Sequence, residues 1–195
     1  MDNMPILLFF IYSAFSVNLL LQCGLGIKGT VDSNVVLDKS AIIKIGIIFI
    51  TIIMLWLIFS KIIYSILSGV YIYVLLFPVS YIVYHSNEYL VFRYLLKKEI
   101  DGEKSVNFPG GITAVAVFLN MYLANNFLEA LILSFGFASG IFIVKLIIRE
   151  IRKRAELEAV PVFLRGKPLV LITMGMLSLV FTTVSLLIFR MIDIR

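Results

Sequence analysis

Residues 127–148 read FLEALILSFGFASGIFIVKLII, with Glu129 and Lys145 as the only charged side chains. A helix that crosses the hydrocarbon core of a bilayer needs about 20 mainly apolar residues, and this stretch is long enough. The composition of the whole chain agrees, because 61% of its 195 residues are hydrophobic and only 15% are charged. Soluble domains are nearer half apolar and a quarter charged. The sequence therefore predicts an all-α integral membrane protein.

Similar apolar runs flank this stretch and together predict six transmembrane helices in a single membrane domain, residues 1–195. The predicted helices cover residues 4–26, 41–60, 62–84, 108–123, 127–148 and 168–189. The fourth is short and begins at Pro109-Gly110-Gly111. The first follows an N-terminus without basic residues and is longer than the apolar region of a signal peptide, so we interpret it as a retained helix.

The positions of the basic residues predict the orientation. Loops one, three and five, with their flanks, hold all but three of the 17 Lys and Arg residues, the exceptions being Lys61, Arg190 and Arg195. Basic loops stay in the cytoplasm, so both termini are predicted to lie outside. The net charge of +5 is thereby explained by topology, and no nucleic-acid partner is predicted.

With six helices, residues before and after the third loop form two halves of opposite orientation, which suggests a 3+3 inverted repeat. Gly- or Pro-interrupted segments at corresponding positions of two such halves are typical of broken helices that meet near the midplane. We therefore predict that helices one and four are broken. The predicted junction or ion path contains Asn18, Gln22, Gly24, Gly26, Pro109, Gly110 and Gly111. Alternatively, the glycines permit close helix packing, and Asn18 and Gln22 hydrogen-bond between helices.

Other polar residues suggest no enzyme site. One His and one Cys cannot form a metal cluster or a Cys/His nucleophile pair within the chain, so no catalytic residue and no metal site are predicted. We expect Glu88 and Lys145, near cytoplasmic helix ends, to reach water. Asn120 is expected to be solvated at the outer turn before helix five.

A basic segment extends helix five into the cytoplasm. Its charges, with one from the loop that follows, are Arg149, Arg152, Lys153, Arg154 and Arg165. Such a segment is typical of a solvated face or a contact with acidic lipid headgroups, and it is also a candidate docking surface for a partner protein.

The C-terminal third carries a recognisable pattern. Ile148-Arg149-Glu150 is followed by Val160-Pro161, by Leu164-Arg165-Gly166, and by LITMGMLSL at residues 171–179. This resembles the I-R-E, V-P, R-G and L-I-T-A-G-L-M-S-L pattern of the RnfA/NqrE family. Length, helix count and the segments at Asn18 and Phe108-Pro109 are also similar.

That family consists of six-helix subunits of Rnf and Na⁺-translocating NADH:quinone reductase complexes in the bacterial cytoplasmic (inner) membrane. The resemblance implies electron transfer coupled to ion movement, flavins elsewhere in the complex, and a pseudo-symmetric RnfE/NqrD-like partner. It also implies a [2Fe–2S] cluster in the membrane, to which each of the two subunits contributes two cysteines.

The chain departs from the family at the cluster positions. Counted from Asn18 and from Pro109, the family's cysteine positions fall on Lys28 and Val115, and the lone Cys23 stands about one and a half turns away. Neither Lys28 nor Val115 can replace a thiolate, so no cofactor is expected to be bound by this chain alone. Three interpretations stay open: a complex subunit with a different electron route, a divergent transporter or channel, or a structural membrane subunit.

Overall fold

The computed structural model describes residues 6–24, 39–60, 71–91, 93, 109–157, 161, 164 and 166–193. Within these ranges the chain is helical apart from short turns and contains no strand, which confirms the all-α class. The helices are α1 (Ile6–Ile11), which continues as a π-helical turn (Tyr12–Ser16), then α2 (Lys39–Ile58), α3 (Tyr71–Leu90), α4 (Pro109–Leu123), α5 (Phe127–Leu157) and α6 (Lys167–Asp193).

Local sequence fixes where the later helices begin. Pro109 is the first residue of α4, a position that suits proline because its missing N–H would have no partner there. Glu129, in the first turn of α5, accepts a hydrogen bond from the backbone N–H of Asn125 (2.8 Å). A carboxylate there also interacts favourably with the helix dipole. Gly166, directly before α6, has φ +85°, a conformation that glycine adopts without strain.

Helix α5 is the centre of the fold. It packs against α1, the π-helical turn, α2, α4 and α6. Its inward face buries Leu133, Phe137 and Ile141 in a core shared with α2 and α4. Within the described part of the chain, α6 packs chiefly on α5 and the π-helical turn, so it lies at the periphery of the bundle.

Two of the described helices are long and apolar enough to cross a membrane, over Phe127–Ala155 and Lys167–Ile188. Half of the apolar window of the first is buried in the bundle, against 17% for the second. Helix α6 exposes Met176, Leu179 and Leu186 by 65 to 71%. A continuous apolar surface of this kind is unfavourable in water, so lipid or another membrane protein must cover it, and the chain is a membrane protein.

Helix one differs most from its prediction. The sequence predicts a regular helix to residue 26, whereas the helical backbone ends at Ser16. The predicted third helix is described only from Tyr71 onward and continues to Leu90, six residues beyond its expected end. The expected tight hairpin at Lys61 lies outside the described residues.

Candidate functional site

The feature that organises the site is the helix break, which we define as residues 17–24. The π-helical turn closes when the Val17 N–H donates to the Tyr12 carbonyl (3.0 Å), and Val17 then leaves helical geometry. π-Helical turns occur frequently at functional sites. The break ends at Gly24, whose φ is +64°.

Asn18 holds the break together through its side chain. Its Oδ1 accepts hydrogen bonds from the backbone N–H groups of Leu20 (3.1 Å) and Leu21 (3.2 Å). Its Nδ2 donates to the Ala14 carbonyl (3.0 Å). Asparagine competes with regular helix in this way because its short amide reaches nearby backbone groups. Because Asn18 is only 1% exposed, these bonds satisfy groups that have no access to water.

Two glycines of α5 allow the first helix to approach closely. A Cβ on Gly136 would lie 1.7 Å from Ser13 Oγ, and one on Gly140 would lie 2.6 Å from the Ala14 carbonyl oxygen and 2.9 Å from Asn18 Nδ2. Sequence reasoning missed this pair, although Gly136-x-x-x-Gly140 is the small-xxx-small signal of close helix contacts in membranes. The packing alternative for glycine therefore holds on α5.

The break also contacts α6 through polar groups. Gln22 Nε2 donates to Thr182 Oγ1 (2.8 Å), and Ser185 Oγ donates to Ser16 Oγ (2.6 Å). Phe15 packs on Phe181 with ring centroids 5.1 Å apart. Gln22 is thus an interhelical hydrogen-bond donor, one of the two roles expected for it.

The outer rim of the break is exposed. Gln22, Cys23 and Gly24 are all exposed in the isolated chain, and so is Thr182 on α6. Cys23 therefore does not face the interior of the bundle. Among the other predicted junction residues, Gly26 and Lys28 lie outside the described residues.

The first turn of α4 contains Pro109, Gly110 and Gly111 in continuous helix. A Cβ on Gly111 would meet nothing within 4 Å, so close packing does not explain glycine there. Val115 is half-buried on the same helix. Helix α4 packs against α2, α3 and α5, whereas the break rests on α5 and α6.

A second polar group joins α2 and α3. Glu88 is 5% exposed, with Lys44 Nζ at 3.7 Å from Oε1 and His85 Nδ1 at 3.8 Å from Oε2. The expectation that Glu88 reaches water is therefore wrong. The reason is tertiary, because α2 supplies a lysine that neutralises the carboxylate inside the bundle.

Asn120 also differs from its prediction, because it is fully buried between α4 and α5. Its Nδ2 donates to the Ala130 carbonyl (3.1 Å) and to Ser134 Oγ (2.8 Å). Asn125 and Asn126, in the turn itself, are exposed as expected. The chain reverses direction at this turn, which brings Asn120 against α5 instead of into water.

The basic segment continues α5 without interruption, as predicted. Arg149, Lys153 and Arg154 are exposed, and Arg152 is half-buried. Arg154 pairs with Glu150 at 3.3 Å. Arg165 lies outside the described residues.

The donor set does not fit a family-type iron–sulfur site. The described residues contain no group of three or more His, Cys, Asp or Glu side chains placed to hold a metal. Cys23 is the single thiol of the chain, whereas the family arrangement requires two thiolates from each of the two proteins. Of the two positions that the family pattern assigns to thiolates, Val115 carries an aliphatic side chain.

Together, the all-helical fold, the apolar surface and the buried break define a class, that of helical membrane proteins with an interrupted helix. No family model matches the sequence. Curated relatives do match, and their names describe the A component of an ion-translocating oxidoreductase complex.

The match covers about a third of each sequence. The relative from Pectobacterium atrosepticum is 38% identical over 65 residues, which is 33% of this chain and 34% of that protein. The relative from Buchnera aphidicola subsp. Schizaphis graminum is 36% identical over 70 residues, 36% of each. That from Escherichia coli O1:K1 is 38% identical over 63 residues, 32% of this chain and 33% of the relative. The resemblance to the RnfA/NqrE family is thereby confirmed over this third of the chain.

Proposed function

We propose that this chain is a membrane subunit of an ion-translocating electron-transport complex, and that its helix break forms part of the contact with a second membrane subunit. The relatives are named as components of such an oxidoreductase complex. The observation that carries the proposal is the break itself. Regular packing of a bundle does not require an eight-residue interruption held by buried hydrogen bonds.

The depth of the break supports a protein partner. Gln22 bonds to Thr182, which lies about 22 Å along α6 from its first residue, near the middle of an axis of about 40 Å. Irregular backbone at membrane depth is tolerated only where protein or a water-filled cavity covers it. The exposed rim at Gln22, Cys23 and Gly24 therefore calls for a covering surface.

The finer architecture belongs to the same proposal. It has six transmembrane helices in a 3+3 inverted repeat, with both termini outside the bacterial inner membrane. Glycines at the break and at the start of α4, in the two halves of the chain, support it. A pseudo-symmetric RnfE/NqrD-like subunit is then the partner that fits the rim, because such a partner would present its own interrupted helix to it.

Electron transfer in this proposal uses cofactors of other subunits. The single thiol cannot supply a family-type share of a [2Fe–2S] site, so flavins and iron–sulfur centres are assigned to partner subunits. The chain contributes binding surface and helix packing to the complex. Among the described residues Glu88 is the intramembrane carboxylate, a residue type that commonly marks ion pathways. Here its charge is neutralised by Lys44.

Purification of the tagged chain from its native membranes in mild detergent tests the assignment. We expect flavin-bearing and iron–sulfur-bearing subunits to co-purify with the wild-type chain. Leu179→Trp, on the face of α6 that carries Thr182, should reduce that yield because the larger side chain obstructs the contact. Ile82→Trp, on an exposed position of α3 (61% exposed), is the matched control and should leave the yield unchanged. A flavin-free homo-oligomer from the wild type would contradict the proposal.

A further inference from the structure

One end of the bundle gathers four charged residues that the proposed function does not use. They form what we define as the charged cluster, Lys44 on α2, Glu88 on α3, and Lys145 and Arg149 on α5. Lys44 pairs with Glu88 at 3.7 Å. The ammonium of Lys145 lies close enough to that of Lys44 for the two charges to repel. Arg149 follows Lys145 by four residues, so both lie on one face of α5.

The cluster has more positive than negative charge. Glu88 is its single acid among the described residues, and its carboxylate is already engaged by Lys44. The side chain of Glu88 is 7% exposed and that of Lys44 is 39% exposed, so the acid is inside and the excess positive charge is toward the surface. The Glu150–Arg154 pair is on another side of α5 and does not neutralise it. Positive charge beside apolar helices is unfavourable without a counter-charge.

The depth of the cluster matches that of lipid phosphates. Lys145 lies about 27 Å along the axis of α5 from its first residue, and the hydrocarbon core of a bilayer is about 30 Å thick. Lys44 is near the start of α2, and Glu88 is near the end of α3. All the charges therefore lie at one edge of the apolar layer, where headgroups begin.

Apolar side chains next to the cluster distinguish a lipid from a soluble anion. Leu146, directly after Lys145, is 38% exposed, and Ile42, two residues before Lys44, is 52% exposed. These side chains offer acyl chains a surface that inorganic phosphate would not use. A phosphodiester with attached acyl chains satisfies both the charge and the apolar surface.

We propose that the charged cluster binds the headgroup phosphate of an anionic phospholipid, with Lys145 and Arg149 as its direct ligands and Lys44 as the residue that links the site to α2. The bound lipid joins α2 and α5 at this edge of the membrane. Basic pockets between transmembrane helices on the cytoplasmic side are known to hold such headgroups. The site does not depend on the proposed electron-transport complex.

The test uses the full chain in phosphatidylcholine nanodiscs with increasing phosphatidylglycerol. Native mass spectrometry measures retained lipid, and thermal unfolding measures the stabilisation that it gives. We expect the wild type to retain phosphatidylglycerol in preference to phosphatidylcholine. Lys145→Gln should lower the apparent affinity about tenfold, the size of one charge-assisted hydrogen bond. Arg149→Gln, on an exposed side chain, tests the same site if Lys145→Gln folds poorly, and it should also weaken binding.

Arg190→Gln is the control, because it removes one exposed positive charge near the other end of α6. Its affinity for phosphatidylglycerol should equal that of the wild type. The proposal is overturned if the wild type shows no preference for phosphatidylglycerol, or if Arg149→Gln and Arg190→Gln bind the lipid equally. Equal stabilisation by inorganic phosphate in pure phosphatidylcholine would also overturn it, because the occupant would then be a soluble anion.

Discussion

Gly140→Ala is expected to destabilise the chain by about 3 kcal/mol, at the upper end of the range for overpacking. The added Cβ would lie 2.6 Å from the Ala14 carbonyl oxygen, and a backbone atom cannot rotate away as a side chain can. Helix α1 would have to move off α5, and the hydrogen bonds of Asn18 would move with it. Thermal unfolding in mild detergent measures the loss.

Gly175→Ala is the matched control, because a Cβ at Gly175 on α6 would meet nothing within 4 Å. Its stability should equal that of the wild type or exceed it, since alanine favours helix over glycine. Equal midpoints for the Gly140 and Gly175 variants would show that α1 does not lie against α5 as described. Gly136→Ala should fall between them, because the nearest obstacle there is the movable hydroxyl of Ser13.

Asn18→Ala is expected to cost about 3 kcal/mol, because it leaves buried backbone groups without partners. Two N–H groups and the Ala14 carbonyl lose their side-chain bonds, and each buried unsatisfied group costs about 1–3 kcal/mol. The break would lose its shape before the whole bundle unfolds. Protease sensitivity near the break should therefore rise at temperatures where the far-ultraviolet circular dichroism is unchanged.

Asn125→Ala serves as the control, since Asn125 is exposed in the turn before α5. It should lose less than about 0.5 kcal/mol, as is usual for surface substitutions. If the two variants unfolded at the same midpoint, the side chain of Asn18 would not hold the break.

The helix positions were predictable from sequence because they depend on local composition. An apolar run of sufficient length predicts a helix wherever the rest of the chain lies, and α5 and α6 begin within a residue of their predicted starts. The basic extension of α5 was also predictable, since charges at helical spacing continue directly from the apolar run.

The break was only partly predictable. Glycines and polar residues indicated an interruption near the end of the first helix, but its start at Val17 depends on the hydrogen bonds of Asn18 and on contact with α5. The Gly136-x-x-x-Gly140 signal was present in the sequence and would have located that contact. Lys28 and Gly26 stay predictions, because they lie outside the described residues.

Buried polar residues could not be predicted for a different reason. The environments of Glu88 and Asn120 are set by side chains on other helices, Lys44 and Ser134. A single sequence contains no information on which helices are neighbours. Its periodicity gives the position of a residue along the membrane normal, and the packing decides whether that residue meets water.

Ion uptake by inverted membrane vesicles tests the central claim most directly. Vesicles from the native host, with and without this chain, are supplied with the reductant of the electron-transport complex while uptake and electron transfer are recorded. We predict that loss of the chain abolishes reductant-driven uptake, and that the wild type and Asn125→Ala restore it while Asn18→Ala does not. Unchanged uptake in vesicles without the chain would contradict the assignment to an ion-translocating electron-transport complex.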